Sequence, residues 1–191
     1  QHMQFDEAMS RFGGDAETVA SNLANMEMAL AKVAIESNID LMFKVAVVNE
    51  EGFSVMRDDM APVDQILEHV HGTVDQGVVL ATIATFPGRV AVLDDEEMRM
   101  MSESDDFSGT ASEIMSENEY EKVRDVVICC VQYNSGGQGK VLLMMANVTE
   151  KPTGGRTLGA VEIANFSSGE DVPIRGDFIF DTEKFAEFPL D

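Results

Sequence analysis

A chain of 191 residues with 45% hydrophobic content can bury a core without disulfides or metals to staple it, and residues 4–191 read as one domain. Its 35 acidic against 13 basic residues give a formal charge of −22 and a pI near 4.2. That field repels nucleic acid and anionic lipid and attracts basic proteins or cations, so direct DNA or RNA binding is disfavoured.

Gln1-His2-Met3 reads as an expression-tag remnant, which leaves His69 and His71 as the histidines available for function. No charged stretch followed by an apolar one marks a leader near the start. No apolar run approaches the roughly 20 residues that span a bilayer, and a cytoplasmic location is expected. Cys129 and Cys130 are adjacent, so on a strand they point to opposite faces and cannot pair with each other; they read as reduced, buried thiols. The sequons at Asn147 and Asn165 matter only in a secretory lumen.

After Gly13-Gly14, Asp15 is placed to cap a helix over 15–37, with Val19, Leu23, Met26, Leu30 and Val33 drawing one apolar stripe. The same spacing is a two-heptad seam, so the stripe is read as facing a sheet, with a homodimer as the other use. Residues 41–48 and 53–56 flank NEEG as a strand pair. A second helix is expected to begin at Pro62, to bury Val63, Ile66, Leu67 and Val70, and to stop near Gly72. Residues 77–86 and 89–93 flank Pro87-Gly88 and predict a hairpin.

Between Asp94 and Glu121 stand eleven carboxylates against the single Arg99. Residues 94–112 are expected to form a long exposed or mobile loop, and SENE (116–119) matches a capping box for a short helix running toward Arg124. Beyond it, 126–133, 140–148, 157–166 and 174–180 predict a four-strand antiparallel meander. The expected class is α+β: a largely antiparallel sheet, with that meander and the N-terminal hairpins, and two or three helices packed on it.

EHVHGTVD (68–75) gathers two imidazoles and two carboxylates, and resembles the first metal motif of the amidohydrolase and metallo-β-lactamase groups. Those groups draw on later histidines, and this chain has none after His71. Its pattern is His-x-His-x-x-x-Asp, and in a helix residues two apart lie about 200° apart around the axis. A metal site of His69, His71 and Asp75, with Glu68 beside it, is therefore kept only as an alternative. SGGQGKV (135–141) lacks the Walker residues at Asn134 and Val141 and reads as a hairpin turn. Arg175-Gly176-Asp177 is a chance tripeptide in an expected strand, and Asp58-Asp59 a solvated acidic pair. A nucleophilic role for Cys129 or Cys130 would need a base and a polar setting.

No cofactor is expected. The leading expectation is a non-enzymatic protein that binds a basic partner through its acidic surface, in its sharpest form an inhibitor that mimics nucleic acid. The residues expected to carry it are Asp94, Asp95, Glu96, Glu97, Glu103, Asp105, Asp106, Glu113, Glu117 and Glu119. Met98, Met100, Met101 and Met115 either give that surface adaptable apolar contacts or anchor it to the core. The alternatives are a small metal-dependent hydrolase, and an assembly subunit whose charge serves structure or solubility.

Overall fold

Asp15 is extended and its carboxylate accepts the Thr18 N–H at 2.8 Å, so helix α1 (Ala16–Glu36) begins where a cap was expected. That hydrogen bond to the ionised form holds the Asp15 carboxyl below its usual range. The structure, a computed structural model, describes residues 15–106, 109–110, 112–113, 123–173 and 176–188. The expected seam departs from the sheet halfway along α1. Val19 and Leu23 are buried, but Met26, Leu30 and Val33 are exposed, and the buried line continues through Ala24, Met28, Ala31 and Ile35. A pattern of period 3.5 drifts about 20° per heptad on a helix of period 3.6, and a straight helix crossing a twisted sheet loses one side of its stripe.

Strands β1 (Lys44–Asn49) and β2 (Gly52–Arg57) form the expected pair. The Asn49 side-chain oxygen accepts from Glu51 N–H at 2.8 Å and Gly52 N–H at 3.2 Å, closing the turn. Helix α2 (Val63–Asp75) starts after Pro62 but does not stop near Gly72. Gly72 is exposed, while Val74 continues the buried line of Ile66, Leu67 and Val70, and burial of that valine outweighs the helix penalty of one glycine. The glycine that ends this helix is Gly77, at φ +74.

The expected hairpin at Pro87-Gly88 is instead one strand, β3 (Ala81–Ala91), running straight through both residues. β1 pairs with β3 only from Ala81 to Thr85, so beyond Thr85 that side of β3 has no neighbour. Pro87 lacks an N–H where no ladder bond was to be made. Strands β4 (Val123–Ser135) and β5 (Gln138–Glu150) then form a long hairpin. Its turn is Gly136-Gly137 at φ +60 and +79, the type I′ geometry that settles SGGQG as a hairpin turn.

Residues 157–166 divide into β6 (Arg156–Leu158) and β7 (Glu162–Phe166), both paired with β5. Three residues, Gly159 to Val161, oppose two, Ala146 and Asn147, so the division is a β-bulge, with Gly159 N–H donating to Asn147 O at 2.8 Å. The sheet order is β2-β1-β3-β4-β5-β6, with β7 also on β5, and every strand pair is antiparallel. The fold is α+β, as expected, with helices packed against an antiparallel sheet.

Both faces of this sheet are covered. α1 lies on one face, over Val127, Cys129, Val131, Leu142 and Met144. On the other, α2 together with Val172, Phe178, Phe180 and Phe185 covers Val126, Ile128, Cys130, Val141 and Leu143. The two cysteines point to opposite faces, as alternation on a strand requires.

Of the expected fourth meander strand, residues 174 and 175 lie outside the described residues, and 176–180 is not a strand. β7 already occupies the edge of β5. Phe178 and Phe180 are buried against the face of the sheet, where the Gln132 side chain takes the place of a strand neighbour. Its amide donates to Phe178 O at 2.7 Å, and its oxygen accepts from Phe180 N–H at 2.8 Å. After the turn Thr182–Lys184 the chain runs extended, with Ala186 N–H on Val79 O at 2.8 Å and Phe188 N–H on Asn134 O at 2.7 Å.

One ion pair is built into the layer between α1 and the sheet. Glu27, buried on the helix, meets Lys44 Nζ at 2.6 Å, and Thr85 Oγ1 donates to the same carboxylate at 3.4 Å. Such a pair adds little net stability, but either partner alone would be a poorly solvated charge. It fixes where α1 crosses β1 and β3.

Candidate interaction surface

The ladder between β4 and β5 begins at Val126, and that between β1 and β3 ends at Thr85. Residues Arg89–Ala91 and Val123–Asp125 therefore pair only with each other, as a two-stranded tongue about 10 Å long that splits from β5, whose residues Val148–Glu150 pair with β6 at the same end of the sheet. An exposed ion pair, Arg89 to Asp125 at 3.2 Å, crosses it. The acidic segment stands at the end of this tongue.

Residues 94–112 are not the uninterrupted loop that their composition suggests. Asp95–Ser102 forms helix α3, because Asp94 and Glu97 make a capping box: Glu97 N–H donates to Asp94 at 2.9 Å, and Asp94 N–H to Glu97 at 3.2 Å. Asp95 and Glu96 add negative charge to the first turn, where the helix dipole favours it. Arg99 reaches Glu103 at 3.6 Å, one turn later. Asp106 accepts from Gly109 N–H at 3.1 Å and so caps the following turn. The capping box expected at 116–119 lies outside the described residues, as do Glu117, Glu119 and Met115.

Seven of the expected interaction residues, from Asp94 to Asp106, thus sit on or beside one capped helix, and Glu113 is exposed further along. No residue of α3 is buried, and Met98 is 57% exposed with Met100 exposed beside it. Those two methionines do not anchor the helix to the core. An isolated helix of eight residues is marginal in water, so the caps and the first-turn charges hold this one.

The residues of the metal alternative are not brought together. α2 continues through both imidazoles, and His69 is exposed. His71 lies on another side, with Nε2 donating to Asp177 O at 2.7 Å and its ring edge-on to Phe180 at 4.6 Å between centroids. Asp75 pairs with Lys184 at 2.9 Å. Among the described residues no three His, Cys, Asp or Glu side chains converge on a point that could hold a metal ion. His71 and Asp75 tie the C-terminal segment to α2.

Cys129 and Cys130 are fully buried, and burial pushes both thiols up, Cys129 to about 12. We expect neither to react with iodoacetamide at pH 8 until urea unfolds the protein; rapid native labelling would contradict their burial. The unfolded thiols ionise from the ordinary value of 9.0, while folded Cys129 keeps its proton to about 12. Stability should therefore fall as pH rises above 9, by about 1.4 kcal/mol per pH unit for each thiol.

A separate cleft of about 600 Å³ gathers Glu170, Asp181 and Glu183 beside Ser168. The Ser168 and Asp181 side chains are engaged in capping the short turns Gly169–Asp171 and Thr182–Lys184. Among the described residues no helix is long and apolar enough to cross a membrane.

Sequence reasoning passed over Gln132 and Glu27. Each is a polar residue inside an apolar pattern, Gln132 in VVICCVQY and Glu27 on the buried line of α1, and that mismatch is the signal that marks both. No family model, curated protein or solved structure matches the chain.

Proposed function

We propose that this protein is a non-enzymatic interaction module that binds a basic partner through the acidic surface at the tip of the β3–β4 tongue. The observation that supports it is a capped helix with no buried residue, set between the two strands of the tongue with seven carboxylates from Asp94 to Asp106 on or beside it. A fold gains nothing from ordering such a helix for its own core. Carboxylates held on an exposed helix present negative charge much as phosphates do, and can compete for the positive groove of a nucleic-acid-binding protein. We place that encounter in the cytoplasm, where buried thiols such as Cys129 and Cys130 stay reduced.

The test is a pull-down from the native host at about 0.1 M and about 0.5 M salt, across which the Debye length shortens by about half. A basic protein retained at the lower salt and released at the higher is the expected result. Retention of no basic protein at either salt would sink the reading.

A further inference from the structure

Five of the large apolar side chains that remain exposed lie between residues 26 and 42: Met26, Leu30, Val33, Ile39 and Met42. The first three are the half of the α1 stripe that the sheet does not cover, with Leu30 53% and Val33 64% exposed. The residues between them on the outer side of α1 are Asn25, Ala29 and Lys32. From Thr18 to Ile35 the helix carries one carboxylate, Glu27, and that is buried against Lys44. On a chain of charge −22, the outer face of α1 is thus a stretch about 25 Å long with no exposed carboxylate.

We propose that this face is the contact between two copies of the chain, α1 lying antiparallel on α1 across a two-fold axis near Ala29 and Leu30. The charge distribution selects that occupant. A basic partner finds no anion here to pair with, whereas two copies of a strongly acidic protein can approach only where their carboxylates are absent. Spacings of four and three, from Met26 to Leu30 to Val33, let ridges interdigitate, and Ala29 admits the close approach of a second helix. A two-fold axis sets Met26 of each copy near Val33 of the other and brings the two Leu30 side chains together.

Salt distinguishes this contact from binding at the tongue. Screening weakens attraction to a basic partner but relieves repulsion between two polyanions, so self-association should strengthen between about 0.1 M and about 0.5 M salt. Sedimentation velocity over a concentration series of the full chain should show a monomer–dimer equilibrium that shifts toward dimer with salt. Leu30→Asp, at an exposed position, should leave the thermal midpoint in place and weaken association by roughly 100-fold. Ala29→Cys should form an intermolecular disulfide on mild oxidation, since the native thiols are buried. A monomer at every concentration and salt, or a dimer that survives Leu30→Asp and is not linked through residue 29, overturns the proposal. A monomer that sediments with phosphatidylcholine vesicles, and loses them on Leu30→Asp, would overturn it too and assign the face to lipid.

Discussion

Replacing Gln132 by alanine should cost about 4 kcal/mol of unfolding free energy, measured by urea titration, against less than about 0.5 kcal/mol for Gln138→Ala on the exposed turn. Gln132 is fully buried in the central strand β4. Its two hydrogen bonds are to main-chain groups of a segment that makes no strand ladder, Phe178 O and Phe180 N–H. Truncation leaves both groups inside the protein without partners, at about 1–3 kcal/mol each, and adds the cavity of the missing amide. A domain of this size has on the order of 5–15 kcal/mol in total, so the variant should be close to unfolding at physiological temperature. Because residues 176–188 also hold Phe180 over α2 and the Lys184–Asp75 pair, proteolysis should begin in that segment. A loss below about 1 kcal/mol would mean that water reaches these groups, and would remove Gln132 as the organiser of the C-terminal segment.

The second large effect is on binding. Reversing Glu103, Asp105 and Glu113 to lysine changes the charge of the tip by six units while sparing the capping carboxylates Asp94, Glu97 and Asp106 and the first-turn charges of Asp95 and Glu96. We expect affinity for the basic partner at about 0.1 M salt to fall by 100-fold or more, since each charge-pair loss compounds with new repulsion. The thermal midpoint should move little, because no residue of α3 is buried. Unchanged binding by the variant would move the interface off the tongue. A large fall in the midpoint would show that α3 is held by the fold more firmly than its exposure implies.

Much of the architecture was legible from periodicity alone. Asp15 and the first two turns of α1, the Asn49 turn, the start of α2 at Pro62 and the Gly136-Gly137 hairpin are each decided by residues within a few positions of one another. The places where expectation and structure part have a common cause. Pro87-Gly88 reads as a turn until it is known that β1 ends at Thr85 and leaves the proline on an open edge. Residues 174–180 alternate like a strand, but Phe178 and Phe180 spend that alternation on the sheet face once β7 holds the edge. The α1 stripe is continuous in sequence and divided in space, because the sheet it crosses twists. The candidate surface divides in the same way: its ten carboxylates could be named from composition, but not the capped helix that orders seven of them.

The charge, the α+β class, the absence of a histidine set matching the resembled metal motif and the opposite facing of two adjacent cysteines can be read before any fold is known. These follow from composition and from the local periods of 3.6 and 2. Only the folded chain shows which strands have neighbours, and therefore that a tongue splits from the sheet, that the acidic residues connect its two strands, and that a helix face without exposed carboxylates remains uncovered. Charge sums along a chain without regard to shape. Its use as a surface depends on distances between residues remote in sequence, and those are set only when the sheet closes its ladders and leaves some edges unmade.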